Sequence, residues 1–179
     1  MLAAALPWTA QAQGVARPAA CPALLDLRQP RLQDDAPQDL CQFRGRVLLV
    51  VNTASYCGYT PQYEGLEKLQ TRFGPRGLTV LGFPSNDFGA QEPKGNKDIA
   101  EFCFNTYGVK FPMFAKSAVT GKSANPLFAA LTQATGQPPK WNFHKYLIDR
   151  EGRVVASFPS QVEPTDPQIT ARIERLLGS

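Results

Sequence analysis

The hydrophobic and polar positions of the chain alternate between two regimes. Arg46–Thr53 contains the uncharged run Val47-Leu48-Leu49-Val50-Val51, and residues 77–83, GLTVLGF, form a second run of the same kind. Each predicts a strand buried on both faces. Between them, Tyr63, Leu66, Leu69 and Phe73 recur at helical spacing. That spacing predicts a helix over Pro61–Phe73, with Thr60 as its N-cap and Pro61 in its first position. Strand, helix and strand in so short a span predict a right-handed βαβ unit with parallel strands. Residues 84–96, PSNDFGAQEPKGN, form a loop by their content of Gly, Pro, Asn and Ser. Asn96 then caps a second helix, with Ile99, Phe102, Cys103 and Tyr107 on one face and Gly108 at its end. VKFPMFAKSAV is a short extended segment, and Asn125–Thr135 is helical. Residues 145–158 read as a hairpin around Asp149-Arg150-Glu151-Gly152. Asp166 and Pro167 open a last helix with Ile169, Ile173, Leu176 and Leu177 on one face, and Gly178 closes it. Residues 21–45 are irregular, broken by Pro22, Pro30 and Pro37, with room for a short hairpin.

A βαβ unit, a helix, a β-hairpin and a terminal helix follow one another in the thioredoxin order. The expected fold is α/β and thioredoxin-like, a central mixed sheet flanked by helices, with an N-terminal extension. No internal repeat or linker divides it, so residues 21–179 form one domain and residues 1–20 a lead segment. The chain of 179 residues is long enough for a sizeable core. Its net charge is +4, but Lys68, Arg72, Lys94, Lys110, Lys140 and Lys145 are scattered, and no basic block marks a nucleic-acid site. No apolar run is long enough to span a bilayer. The opening MLAAALPWTAQAQG is apolar and rich in Ala, and Thr9-Ala10-Gln11-Ala12 ends in an A-x-A pattern, although no Lys or Arg precedes Arg17. We read it as the tail of an export signal with the mature start near Gln13, which makes the protein periplasmic or secreted. The alternative is an Ala-rich extension on a cytoplasmic protein.

The four cysteines are Cys21, Cys41, Cys57 and Cys103, with no C-x-x-C, and His144 is the only histidine. A Cys/His zinc set is therefore not expected. Cys21 and Cys41 bracket a segment rich in Pro, Gln and Asp. In an oxidising compartment they could form a structural disulfide, closing a loop of about 20 residues for roughly 3 kcal/mol. The alternative is two unrelated thiols. Cys57 lies where a buried strand turns into a helix. There it meets the positive end of the helix dipole and free backbone N–H groups, which favour a thiolate. A thirty-fold gain in thiolate is worth only about 2 kcal/mol, so a fast reaction needs other groups to stabilise the leaving atom. A core cysteine is the competing reading, weakened by Gly58 and the small residues Thr53, Ala54 and Ser55. Gln91, in the loop after the second strand, falls on the same carboxyl edge of the sheet as Cys57. Trp141 and Asn142 precede the third long strand. All three side chains offer N–H donors at neutral pH. Taken singly, packing of Trp141 and loop capping by Gln91 and Asn142 are the better explanations.

Four separated stretches, VVNTASYCGYTPQYEGLEKL, LGFPSNDFGAQEP, FCFNTYGVKFPMF and KWNFHKYLIDREGRVV, together resemble the glutathione peroxidase family in sequence and in order. The likeness runs from about residue 24 to the C-terminus. It implies a thioredoxin-like enzyme that reduces hydroperoxides to water or alcohol without metal, flavin or haem. By the resemblance Cys57 matches the peroxidatic position, and Gln91, Trp141 and Asn142 match the rest of the catalytic tetrad. Cys103 matches the resolving cysteine of the thioredoxin-dependent branch, so a thioredoxin-like dithiol protein is the expected reductant ahead of glutathione. Asp87 stands where the family more often has Gln, and Lys94 where Gly is usual; both are expected to alter the rim of the pocket. Residues 116–141 leave no room for the insertion that tetrameric relatives use, which implies a monomer. Two other classes compete. A thiol-disulfide oxidoreductase on this fold would want a C-x-x-C where the chain reads Cys57-Gly58-Tyr59-Thr60. A copper-delivery protein would want C-x-x-x-C and a suitably placed histidine. The Cys103 helix is further expected to keep its thiol away from Cys57 until residues 96–110 unwind.

Overall fold

The computed structural model describes residues 20–178. The export signal read at Thr9–Ala12 lies outside them. In chain order the elements are β1 (Arg28–Pro30), β2 (Pro37–Asp39), β3 (Val47–Thr53), α1 (Gln62–Phe73), β4 (Leu78–Pro84), α2 (Asn96–Tyr107), α3 (Pro126–Thr135), β5 (Lys145–Ile148), β6 (Val154–Phe158) and α4 (Pro167–Leu177). β1 and β2 form the small hairpin expected before the first long strand. The main sheet has the order β4-β3-β5-β6, with β3 parallel to β4 and antiparallel to β5, and β5 antiparallel to β6. This is the mixed, thioredoxin-like sheet that the pattern of runs predicted.

β3 is buried at every position because it is central and covered on both faces. Val47, Leu49 and Val51 pack with Tyr63, Leu66, Leu69 and Phe73 of α1, Ile99 and Cys103 of α2, and Ile169 and Ile173 of α4. Leu48 and Val50 face the other way, onto Leu127, Phe128 and Leu131 of α3 and onto Leu25, Leu40 and Phe43 of the N-terminal segment. The period of two along the strand thus splits the core into two layers. Cys21 and Cys41 are bonded, with Cα atoms 5.6 Å apart, and fasten the N-terminal segment.

Two helix starts differ from expectation. Thr60 does not cap α1; its hydroxyl accepts from Cys57 N at 3.0 Å and donates to Ala54 O at 2.9 Å, so it closes the preceding turn, and Pro61 occupies the cap position with no side-chain bond. Asn96 does not cap α2 either. Gly95 does, and the Asn96 amide instead joins Asp35 and Lys116 N. In both cases another partner, the preceding turn for Thr60 and distant segments for Asn96, competes for a side chain that could have served the nearest free N–H. The residues of VKFPMFAKSAV make only isolated bridges, Arg31 to Phe114 and Gly82 to Met113, rather than a strand.

Candidate active site

Parallel β3 and β4 end together, at Thr53 and Pro84, and β5 begins opposite Val51. The Cys57 turn, the Gln91 loop and the Trp141–His144 turn therefore all emerge at one edge of the sheet. Tyr56 N donates to Gln91 O at 3.1 Å, and Ser55 Oγ donates to Glu92 Oε2 at 3.0 Å. These bonds join the first two segments on either side of Cys57 and Gln91.

Cys57 is a free thiol, mostly buried. Its sulfur accepts from Tyr59 N at 3.4 Å, and the Thr60 bonds on either side fix the turn that carries it.

Gln91 is placed by a backbone that few residues tolerate. Gly89 and Ala90 are both left-handed, at φ +62° and +51°. A Cβ at Gly89 would also lie 3.3 Å from Trp141 Cη2 and 3.5 Å from Gln91 Cγ, so glycine answers both the conformation and the close approach. Asn142 Nδ2 donates to Gln91 Oε1 at 3.0 Å. Since Gln91 spends its carbonyl oxygen there, its Nε2 is left as a donor for a ligand. Trp141 is exposed, packs against Phe88 with ring centroids 5.8 Å apart, and makes no hydrogen bond through Nε1 among the described residues. The structure thus brings Gln91, Trp141 and Asn142 together beside the Cys57 turn, and the free N–H groups can receive a developing oxyanion.

The turn that carries Trp141 and Asn142 is held from below. Asn52 donates through Nδ2 to Trp141 O at 3.0 Å, accepts His144 N on Oδ1 at 3.1 Å, and accepts Phe143 N on its own carbonyl at 2.6 Å. Phe143 is left-handed, φ +62°, and fully buried. Lys145 Nζ donates to Phe143 O at 2.6 Å. None of these supports was read from the sequence. The available signal was Asn52 following the apolar run Val47–Val51 near the end of a strand buried on both faces. Glu92 was also passed over: it is fully buried, and its burial pushes the carboxyl up to about 6 despite the Ser55 hydrogen bond.

Cys103 lies on the buried face of α2, also as a free thiol, with the Tyr63 phenol beside it. Burial pushes its thiol up to about 11. A thiol held there is a poor nucleophile at neutral pH. Of the two departures at the rim, Asp87 is not a rim residue. Its Oδ2 accepts Val119 N, Thr120 N and Thr120 Oγ1 and so ties down the 117–120 segment. Lys94 places its ammonium 5.6 Å from the centre of the Tyr56 ring, next to the Cys57 turn. Beside Trp141 opens a cleft of about 610 Å³ lined by Tyr59, Pro138, Lys140, His144, Pro159 and Gln161 among others.

The sequence profile of the glutathione peroxidase family matches residues 27–132. The chain belongs to the glutathione peroxidase family. It is 51% identical over 154 residues to a hydroperoxy fatty acid reductase of Synechocystis sp., covering 80% of this chain and 90% of that protein. It is 46% identical over 139 residues to a glutathione peroxidase-like peroxiredoxin of Chlamydomonas reinhardtii, covering 75% and 88%. Among solved structures it resembles a crystal structure described as Trgpx in apo form. That match has a TM-score of 0.70 at 34% identity and covers 86% of this chain and 95% of that one. This member of the family is an oxidoreductase, a thiol peroxidase that reduces hydroperoxides.

Proposed function

We propose that Cys57 is the peroxidatic cysteine, that Gln91, Trp141 and Asn142 complete its catalytic tetrad, and that Cys103 resolves the oxidised product. The observation that carries the tetrad is the 3.0 Å bond from Asn142 to Gln91, which leaves the Gln91 amide and the Trp141 indole as unengaged donors at one mouth. The Cys57 thiolate attacks one oxygen of the O–O bond and becomes a sulfenic acid, while the other oxygen leaves as water or alcohol after taking a proton. The donors stabilise the departing oxygen. Cys103 then attacks the sulfenic sulfur. A Cys57–Cys103 disulfide forms, and hydroxide leaves with the thiol proton as water. A thioredoxin-like dithiol restores both thiols, with glutathione as the lesser reductant.

Fatty acid hydroperoxides are the substrates we favour over hydrogen peroxide. The Synechocystis relative is named for such a reaction, and the cleft beside Trp141 offers apolar walls from Tyr59, Pro138 and Pro159, with the Lys140 cation among its lining for a carboxylate. The enzyme acts as an exported monomer, a reading that rests on the A-x-A pattern, on the Cys21–Cys41 bond and on the short 116–141 segment. Among the described residues no helix is long and apolar enough to cross a membrane.

The deciding experiment is peroxide consumption with thioredoxin or glutathione supplied separately, for wild type and Cys57→Ser. The variant should fold and lose turnover with both reductants. Retention of most of its activity would remove Cys57 from the mechanism. For export, N-terminal sequencing of the protein recovered from the periplasm or medium should find the mature end near Gln13, and recovery only in the cytosolic fraction with an uncleaved terminus would overturn the export reading.

A further inference from the structure

The tetrad turn rests on a buried cation. Lys145 opens β5, and its side chain is fully buried. Its ammonium donates to Phe143 O at 2.6 Å and reaches Ser160 O at 3.5 Å. Ser160 O also accepts Gln62 Nε2 at 2.8 Å, from the first residue of α1. Among the described residues no carboxylate lies within ion-pair distance of the ammonium. Burying an ammonium without a partner costs several kcal/mol, and a methionine would fill the same space without that cost.

What the ammonium holds is specific. The residue whose carbonyl it binds, Phe143, is the left-handed hinge between Asn142 and His144. Asn52 fixes Trp141 O, Phe143 N and His144 N. Among the described residues, Phe143 O is held by Lys145 alone. The Phe143–His144 peptide, one residue after Asn142, is thus pinned on both sides, its N–H by Asn52 and its oxygen by Lys145.

We propose that Lys145 is a positioning residue for the peroxide-reducing step, its ammonium clamping Phe143 O so that Asn142 keeps the Gln91 amide turned toward the peroxide. The inference rests on the tetrad reading above. Lys145 touches neither peroxide nor sulfur and acts through Asn142. Its charge adds a pH dependence. Burial pulls its amine down to about 7, while Glu163, before α4, opposes that fall. The other titratable group facing it is His144, which burial and the Lys145 charge push down to about 4, so it stays neutral. Gln62, from α1, is uncharged. The ammonium is thus the form present below about pH 7, and the clamp weakens as pH rises through that value.

The test is single-turnover oxidation of Cys57 by hydrogen peroxide in a Cys103→Ser background, followed by Trp141 fluorescence, with Cys57 alkylation by iodoacetamide measured alongside. Lys145→Met should slow oxidation by about 10–100-fold, somewhat less than losing an oxyanion donor outright, and leave alkylation unchanged. Lys145→Met combined with Asn142→Ala should oxidise at the rate of Asn142→Ala alone, since the lysine acts only through that side chain. In the protein with Lys145 intact, the ratio of oxidation to alkylation should fall several-fold from about pH 6 to about pH 9, and this needs no lysine variant to fold. A flat ratio, or equal oxidation rates with and without Lys145, overturns the inference. If Asn142→Ala itself oxidises at the wild-type rate, the tetrad reading fails and the lysine's role with it. If Asn142→Ala is slow and Lys145→Met is not, the tetrad stands and the lysine's role falls.

Discussion

Asn52→Leu isolates what the buried asparagine does for the site. Leucine has the same branched heavy-atom skeleton, somewhat bulkier at its two methyls, and suits a strand buried on both faces, so the shape is largely kept while both side-chain bonds are lost. The structure shows which groups are then stranded. His144 N, in a buried residue, loses its acceptor, and Trp141 O loses the Nδ2 donor. Leaving a buried amide unpaired costs about 1–3 kcal/mol. Trp141 is exposed, so water can replace part of its lost bond, and about 1 kcal/mol is the fitting figure there. The backbone bond from Phe143 N to Asn52 O survives any substitution. The expected loss is therefore about 2–4 kcal/mol, a large share of the roughly 5–15 kcal/mol that holds a domain together. Urea unfolding should show a lower midpoint at unchanged slope. The same variant should form Cys57 sulfenic acid about 10–100-fold more slowly in stopped flow, because the turn that aims Asn142 is loosened. A midpoint shift equivalent to less than about 0.5 kcal/mol, the scatter of an ordinary surface substitution, would refute the energetic argument. A destabilised protein with a wild-type oxidation rate would refute the link from Asn52 to catalysis.

Gln91→Ala and Trp141→Ala should each slow sulfenic acid formation by about 10–1,000-fold; stopped-flow rates at the wild-type value in both would put the peroxide site elsewhere. Cys103→Ser should complete one round of peroxide reduction but lose thioredoxin-supported turnover, and full turnover would assign resolution to an external thiol. In wild type, hydrogen exchange across residues 96–110 should accelerate when the Cys57–Cys103 bond forms, since α2 must unwind to release its buried thiol; unchanged exchange would contradict this. Glu92→Gln should stabilise the protein more at pH 7.5 than at pH 4.5. The Glu92 carboxyl rises on folding from its usual 4.5 to about 6, so its protonated form favours the fold below the lower value and that benefit is lost as pH climbs past the upper one, about 2 kcal/mol in all. Denaturation midpoints at the two pH values decide it, and an equal or reversed effect would contradict the burial argument.

The sheet and its helices were legible because burial on two faces leaves uncharged runs, and because one-sided burial leaves helical spacing in α1, α2 and α4. The meeting of Cys57, Gln91, Trp141 and Asn142 was legible too, since parallel strands deliver their following loops to one edge. The supports beneath them were not. Asn52 and Lys145 stand at strand ends, where a polar residue ordinarily marks the return to solvent; here both ends are roofed by the turns they hold. Thr60 and Asn96 were misread because a helix cap looks the same in one dimension as a residue that closes the preceding turn, as Thr60 does, or is bonded across the fold, as Asn96 is. Asp87 was placed at the rim from its position in a motif, whereas its carboxylate points to the 117–120 backbone. Such polar contacts are set by packing in three dimensions, which periodicity does not encode.

The two layers of the core also sort the sulfur. Cys57 and Cys103 belong to the layer beneath α1, α2 and α4, while Cys21 packs into the layer on the opposite side of the sheet and is bonded there to Cys41. If, as proposed, Cys57 and Cys103 make and break a disulfide in every cycle, that cycle risks scrambling any other bond the chain carries, because exchange needs only a thiolate in line with a sulfur–sulfur bond. Here a hydrogen-bonded wall of four strands stands between attacker and target. In the proposed cycle the sheet acts as insulation between the Cys57–Cys103 couple and a permanent rivet, so that each would keep its own oxidation state through turnover.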